Sequence, residues 1–143
     1  MNVIDFIKHS LESSKGWAMG LLSDMQSAPL QQPTPKGGNH PLWVLGHLTH
    51  SESNFLDCFI QGKENRFPEL EEKFGMGATP TTNASDYPSM EELMGKFEEI
   101  RAATLAYVDT LTEADLDKPS QAPEEFSQFF GTIGMCLSAM AVH

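Results

Sequence analysis

The chain has 143 residues, 40% of them hydrophobic, and its nine basic residues against twenty acidic ones give a formal charge of −11. That length suits one domain with a buried core, and the scattered lysines and arginines exclude a nucleic-acid surface, which needs them clustered. No window approaches the roughly 18 uninterrupted apolar residues of a membrane span, and MNVIDFIKHS lacks the layout of a signal peptide, so the sequence predicts a cytoplasmic protein that does not engage membranes.

Four segments carry helical periodicity, and no stretch alternates apolar and polar residues as a strand does. The first runs from about Val3 to Ser27, with an apolar stripe through Ile4, Ile7, Leu11, Ala18, Leu21, Leu22 and Met25. Gly16 and Gly20 weaken it by about 1 kcal/mol each relative to alanine where they face solvent. The second begins at Asn39 or His40 as cap with Pro41 in the first turn, where its missing N–H costs nothing. Leu42, Leu45, Leu48, Phe55, Leu56 and Phe59 form its buried face, Trp43 and His47 lie one turn apart, and Gly62 closes it. From Gly62 to Pro88 runs a long connection, in which PELEEKF is expected to make one or two helical turns. A loop of that length in a compact domain either crosses the bundle or covers something.

Ser89 and Glu92 form a capping box for the third helix, whose stripe is Leu93, Met94, Phe97, Ile100, Leu105, Val108 and Leu111. The turn TLTEADLDKP follows. The fourth segment, about Phe126 to His143, is apolar almost all round and stops in mid-pattern, so it reads as a truncated helix packed on several sides. The methionines at 90, 94, 135 and 140 read as core. Cys58 and Cys136 read as buried small hydrophobes, since neither has a cation beside it in sequence. The fold expected is a single all-α four-helix bundle spanning residues 1–143.

The run NHPLWVLGHLTHS, from Asn39 to Ser51, resembles the second-helix motif of the DinB/YfiT-like superfamily. EKFGMG in the long connection, YPSMEELMGKFEEIR, LTEADLDKP and the closing MAVH resemble that family in the same order, so the likeness covers essentially the whole chain. It implies an up-down-down-up bundle with a long crossover between helices 2 and 3. It also implies a divalent metal (zinc, nickel or iron) held by three histidines, one from the second helix and two from an H-x-x-x-H pair in the fourth. His47 matches the first and His143 the second; the third would fall four residues beyond His143. Family members include metal-dependent transferases that add low-molecular-weight thiols to electrophiles, so such a thiol is the small-molecule substrate implied.

Helix geometry points the same way. His47 lies roughly 9 Å into the second helix and His143 roughly 22 Å into the fourth, at about 1.5 Å per residue. In a simple up-down bundle those helices are parallel and the two histidines differ in height by roughly 13 Å; a long crossover makes them antiparallel and brings the pair level. His50, one turn beyond His47, is a minor candidate for the same region. Glu69, Glu71 and Glu72 read first as a solvated loop face, and offer a carboxylate only if the connection folds over the site. His9 and His40 read as surface residues, and Arg66 and Arg101 as the cations nearest to hand. A competing reading is a non-catalytic bundle with an incomplete metal site, left empty in a truncated chain, that serves as a dimerising or small-molecule-binding module; a homodimer is the simplest partner for an apolar helical end.

Overall fold

Asn2 opens α1 (Val3–Asp24) by accepting the Asp5 N–H on its side-chain oxygen, satisfying one of the free donors of a helix start. In the computed structural model, which describes residues 1–143, five further α-helices follow and there is no strand. They are α2 (Pro41–Ser53), α3 (Glu71–Phe74), α4 (Met90–Val108), α5 (Ser127–Phe130) and α6 (Ile133–Val142). The protein is a helical bundle, and none of its helices is long and apolar enough to cross a membrane.

Each long helix begins at a side-chain cap. His40 Nδ1 accepts the Trp43 N–H at 3.0 Å ahead of Pro41, the Ser89 hydroxyl accepts the Glu92 N–H at 3.1 Å, and the Thr132 hydroxyl accepts the Met135 N–H at 3.2 Å. Beyond Ser53, α2 widens into a π-helical stretch, Asn54–Ile60, and the chain turns away at Gly62, whose φ of 64° lies in the left-handed region that glycine adopts freely. The buried Asp57 carboxylate then takes the Arg66 backbone N–H and two guanidinium donors, folding the following segment back.

The fourth segment differs from the sequence expectation. A continuous helix from Phe126 to His143 is interrupted at Gly131 and Thr132, because Thr132 is extended and caps a new helix while the Ile133 N–H donates to the Lys118 carbonyl. The final helix is therefore α6, ten residues long.

Helix α2 packs on α4, α1 packs on α4 and α6, and α6 also packs on the π-helical stretch. Leu11, Leu45, Leu56, Phe74, Leu93, Phe97, Ile100 and Leu137 lie at the centre of the core. Burial along α1 departs from the expected stripe: Leu21 and Met25 are exposed, as α1 touches its neighbours along only one side. Met135 is also exposed, whereas Met90 and Met140 are core. Inside the bundle, Arg101 meets Glu52 through Nε and Nη2 at 2.8 Å each, and its Nη1 donates to the Leu11 carbonyl and the Ser14 hydroxyl. Thr104 donates to the same carboxylate at 2.8 Å. Arg101 is thus a structural cation joining α1, α2 and α4, and is not free to bind a ligand.

Candidate metal centre

The motif W-V-L-G-H takes its meaning from α3. Gly46 sits where the Phe74 ring crosses α2: an added Cβ would lie 2.5 Å from the ring's Cζ and nearer still to Cε1 and Cδ1. With the backbones so close, the last carbonyls of α3, which have no partner inside so short a helix, meet the ring donors of α2. Trp43 Nε1 donates to the Lys73 carbonyl at 2.9 Å, and His47 Nδ1 to the Phe74 carbonyl at 2.7 Å. One turn further, His50 Nε2 lies 2.6 Å from Glu71 Oε2. Two aromatic nitrogens from successive turns of α2 therefore hold α3 in place, while the buried His50 Nε2, for all its nearness to Glu71, makes no hydrogen bond.

This arrangement fixes the tautomer of His47. A carbonyl only accepts, so Nδ1 carries a proton, and in the neutral imidazole the lone pair is on Nε2. That is the partner a metal-binding imidazole requires on its far side, and sequence reading did not identify it. The Trp43 indole stacks on the same ring at 4.9 Å, with an interplanar angle of 9°. His143 stands edge-on to His47 at 5.1 Å between centroids, while Phe55, in the π-helical stretch, meets Phe130 of α5 at 4.9 Å and His143 at 6.4 Å. The two matched histidines therefore come together at the end of α6.

Partial burial, and secondarily the neighbouring His47, push the His143 imidazole below its usual value, which favours the neutral form that binds metals. His50 is also lowered: burial outweighs the attraction of Glu71. The thiol of Cys136 is pushed up to about 11, chiefly by burial, and Cys58 is raised for the same reason, so neither offers a thiolate.

No group of three His, Cys, Asp or Glu side chains converges into a metal-binding cluster. The residues present fit a metal in kind, since His47 has the right tautomer and His143 the right neighbourhood, and fall short in number at two imidazoles. Glu71 is largely exposed, as a solvated loop face would be, and its nearest ring nitrogen is His50 Nε2 at 2.6 Å. Glu69 instead pairs with Lys96 at 3.0 Å and Glu72 is exposed. His9 is exposed as expected. His40 is not a surface residue: it is fully buried, with Nε2 2.7 Å from the Thr81 carbonyl and its ring against Tyr87.

Beside the histidines opens a cleft of about 410 Å³. Phe55, Phe59, Phe126 and Phe130 line it with rings, and His47, His50 and Ser51 of α2 with Asn54 of the π-helical stretch supply its polar groups. Its size falls within the range of small-molecule sites.

Residues 16–143 match the family model described as the DinB superfamily. No curated protein and no solved structure matches the chain.

Proposed function

The chain belongs to the DinB superfamily, and on that premise we propose that it binds a divalent metal through His47 and His143 and receives a small molecule in the adjoining cleft. The single observation that carries the reading is the Nδ1 bond of His47 to the Phe74 carbonyl, which leaves Nε2 as a lone-pair donor beside a second imidazole. The overall topology read with it is the up-down-down-up bundle, with residues 61–89 as the crossover. Its support is that Lys8 pairs with Asp109 while Gln26 meets Met94, so α1 and α4 are antiparallel, and that His143 at the end of α6 meets His47 of α2.

A bound divalent metal lowers the pKa of a coordinated thiol or water and so supplies a nucleophile at neutral pH. The chain's own residues would do the rest. The Phe74 carbonyl and the Trp43 face hold the His47 ring in one orientation, and the phenylalanine wall excludes water from the apolar part of a ligand. A thiol transferase is the reaction class this reading favours, and zinc, nickel or iron are the candidate ions.

The test is metal content by elemental mass spectrometry on untagged protein, beside His47→Ala prepared identically. Near-stoichiometric metal that disappears in the variant supports the reading. Absence of metal from both after reconstitution sinks it.

One observation favours a second reading, the dimerising module. Trp17, Leu21 and Phe6 on α1 and Val142 on α6 are exposed apolar side chains, Trp17 at 75% and Val142 at 83%. Sedimentation that shows a monomer at all concentrations would remove it.

A further inference from the structure

We infer that the cleft selects an uncharged ligand with an aromatic or branched apolar body and a single hydrogen-bonding head such as an alcohol, ketone or amide. The inference rests on the cleft being the ligand site of the preceding reading, and does not depend on the metal. Two sets of residues carry it.

The first is the wall. Phe55, Phe59 and Phe130 pack with centroids between 4.9 and 5.9 Å and tilted planes, and Phe126 adds a fourth ring at 6.4 Å from Phe130. Tilted rings at these separations leave faces and edges available to a further ring, the geometry aromatic groups prefer. The same lining includes Ser51 and Asn54, a hydroxyl and a carboxamide, with His50. An apolar body and one polar head match such a lining.

The second is charge. None of the residues lining the cleft is a lysine, arginine, aspartate or glutamate. Arg66, Arg101, Lys96 and Lys118 are committed to Asp57, Glu52, Glu69 and Asp115, and the unpaired Lys15, Lys36 and Lys63 do not line the cleft. The chain's net charge of −11 repels anions further. A carboxylate entering this cleft would be desolvated with no cationic partner, only the neutral donors of Ser51 and Asn54. A thiol carrying carboxylates is therefore a poor fit, and an uncharged apolar one a good fit.

The experiment uses Trp17→Phe protein, which removes the exposed indole and leaves the buried Trp43, stacked on the cleft-lining His47, as the single reporter. With chelator present, its emission is titrated with 4-phenylbutan-1-ol and, separately, with 4-phenylbutyrate. The alcohol is expected to saturate the signal, with the carboxylate at least about tenfold weaker. Phe130→Ala should weaken the alcohol. Phe59→Lys, at a half-buried position, should shift the preference toward the carboxylate. Equal or tighter binding of the carboxylate to the parent protein overturns the inference. So does failure of the alcohol to saturate, or a response indifferent to Phe130→Ala. Because the titration is done without metal, these outcomes are separate from those of the metal-content measurement.

Discussion

Replacing Gly46 with alanine tests the account of α2 and α3 most directly. In a helix interior this change alone favours folding by about 1 kcal/mol, because glycine loses more backbone freedom. Here the new methyl would enter the Phe74 ring, which is fully buried and has no room to rotate away. Overpacking of this kind costs about 1–3 kcal/mol, and moving Phe74 also strains the carbonyl bond to His47, a further 0.5–1.5 kcal/mol or so. The net expectation is a loss of about 1–3 kcal/mol, seen as a lower melting temperature by circular dichroism, at about 4 °C per kcal/mol for a chain of this size. Gly16→Ala and Gly20→Ala are the controls, as both glycines are exposed and an added Cβ meets nothing within 4 Å. Those two should stabilise by up to about 1 kcal/mol. In a Phe74→Ala background, Gly46→Ala should change sign and become stabilising. If Gly46→Ala is neutral or favourable in the parent protein, the crossover does not lie on α2 as described.

Arg101→Met strands the Glu52 carboxylate inside the bundle with Thr104 as its remaining partner, and should cost about 3–5 kcal/mol in urea denaturation. Glu52→Leu combined with Arg101→Met should recover much of that loss; a single variant within about 1 kcal/mol of the parent would refute the pairing. The pH dependence follows from His50 and His143, both lowered in the folded state mainly by burial. The unfolded chain then takes up protons first, so their contribution is complete above the ordinary value of 6.5 and is lost as pH falls through their folded values. Melting temperature should fall from pH 7.5 to 5.5, and the slope should flatten in His50→Gln/His143→Gln; an unchanged slope in that variant would show that other groups are responsible.

The sequence was informative where one local signal decided the outcome. The capping residues at Ser89 and ahead of Pro41, the glycine stop at Gly62, and the helical turns in PELEEKF each appear where expected. The pairing of Trp43 with His47 followed from helical spacing alone. Less was legible where the deciding group lay far along the chain. His40 is buried because Thr81 and Tyr87 come to it, and Glu52 was passed over because its partner is 49 residues away. The break at Gly131 and Thr132 did have a signal, a glycine followed by a good cap, but the surrounding apolar residues masked it. Within the site, His47 and His143 could be picked out by position and motif. The carbonyl that fixes the His47 tautomer has no side-chain signature to read.

That carbonyl has a consequence for how the site tolerates change. Lys73 and Phe74 serve Trp43 and His47 through main-chain oxygens, which every amino acid possesses. The tautomer of His47 is therefore inherited from the path of the connection, through an oxygen that carries no side-chain identity. Exposed Lys73 can be exchanged while that path is kept, whereas Phe74 is held by its buried ring against Gly46 as well; a shift in the path would alter the imidazole without touching the imidazole's own helix.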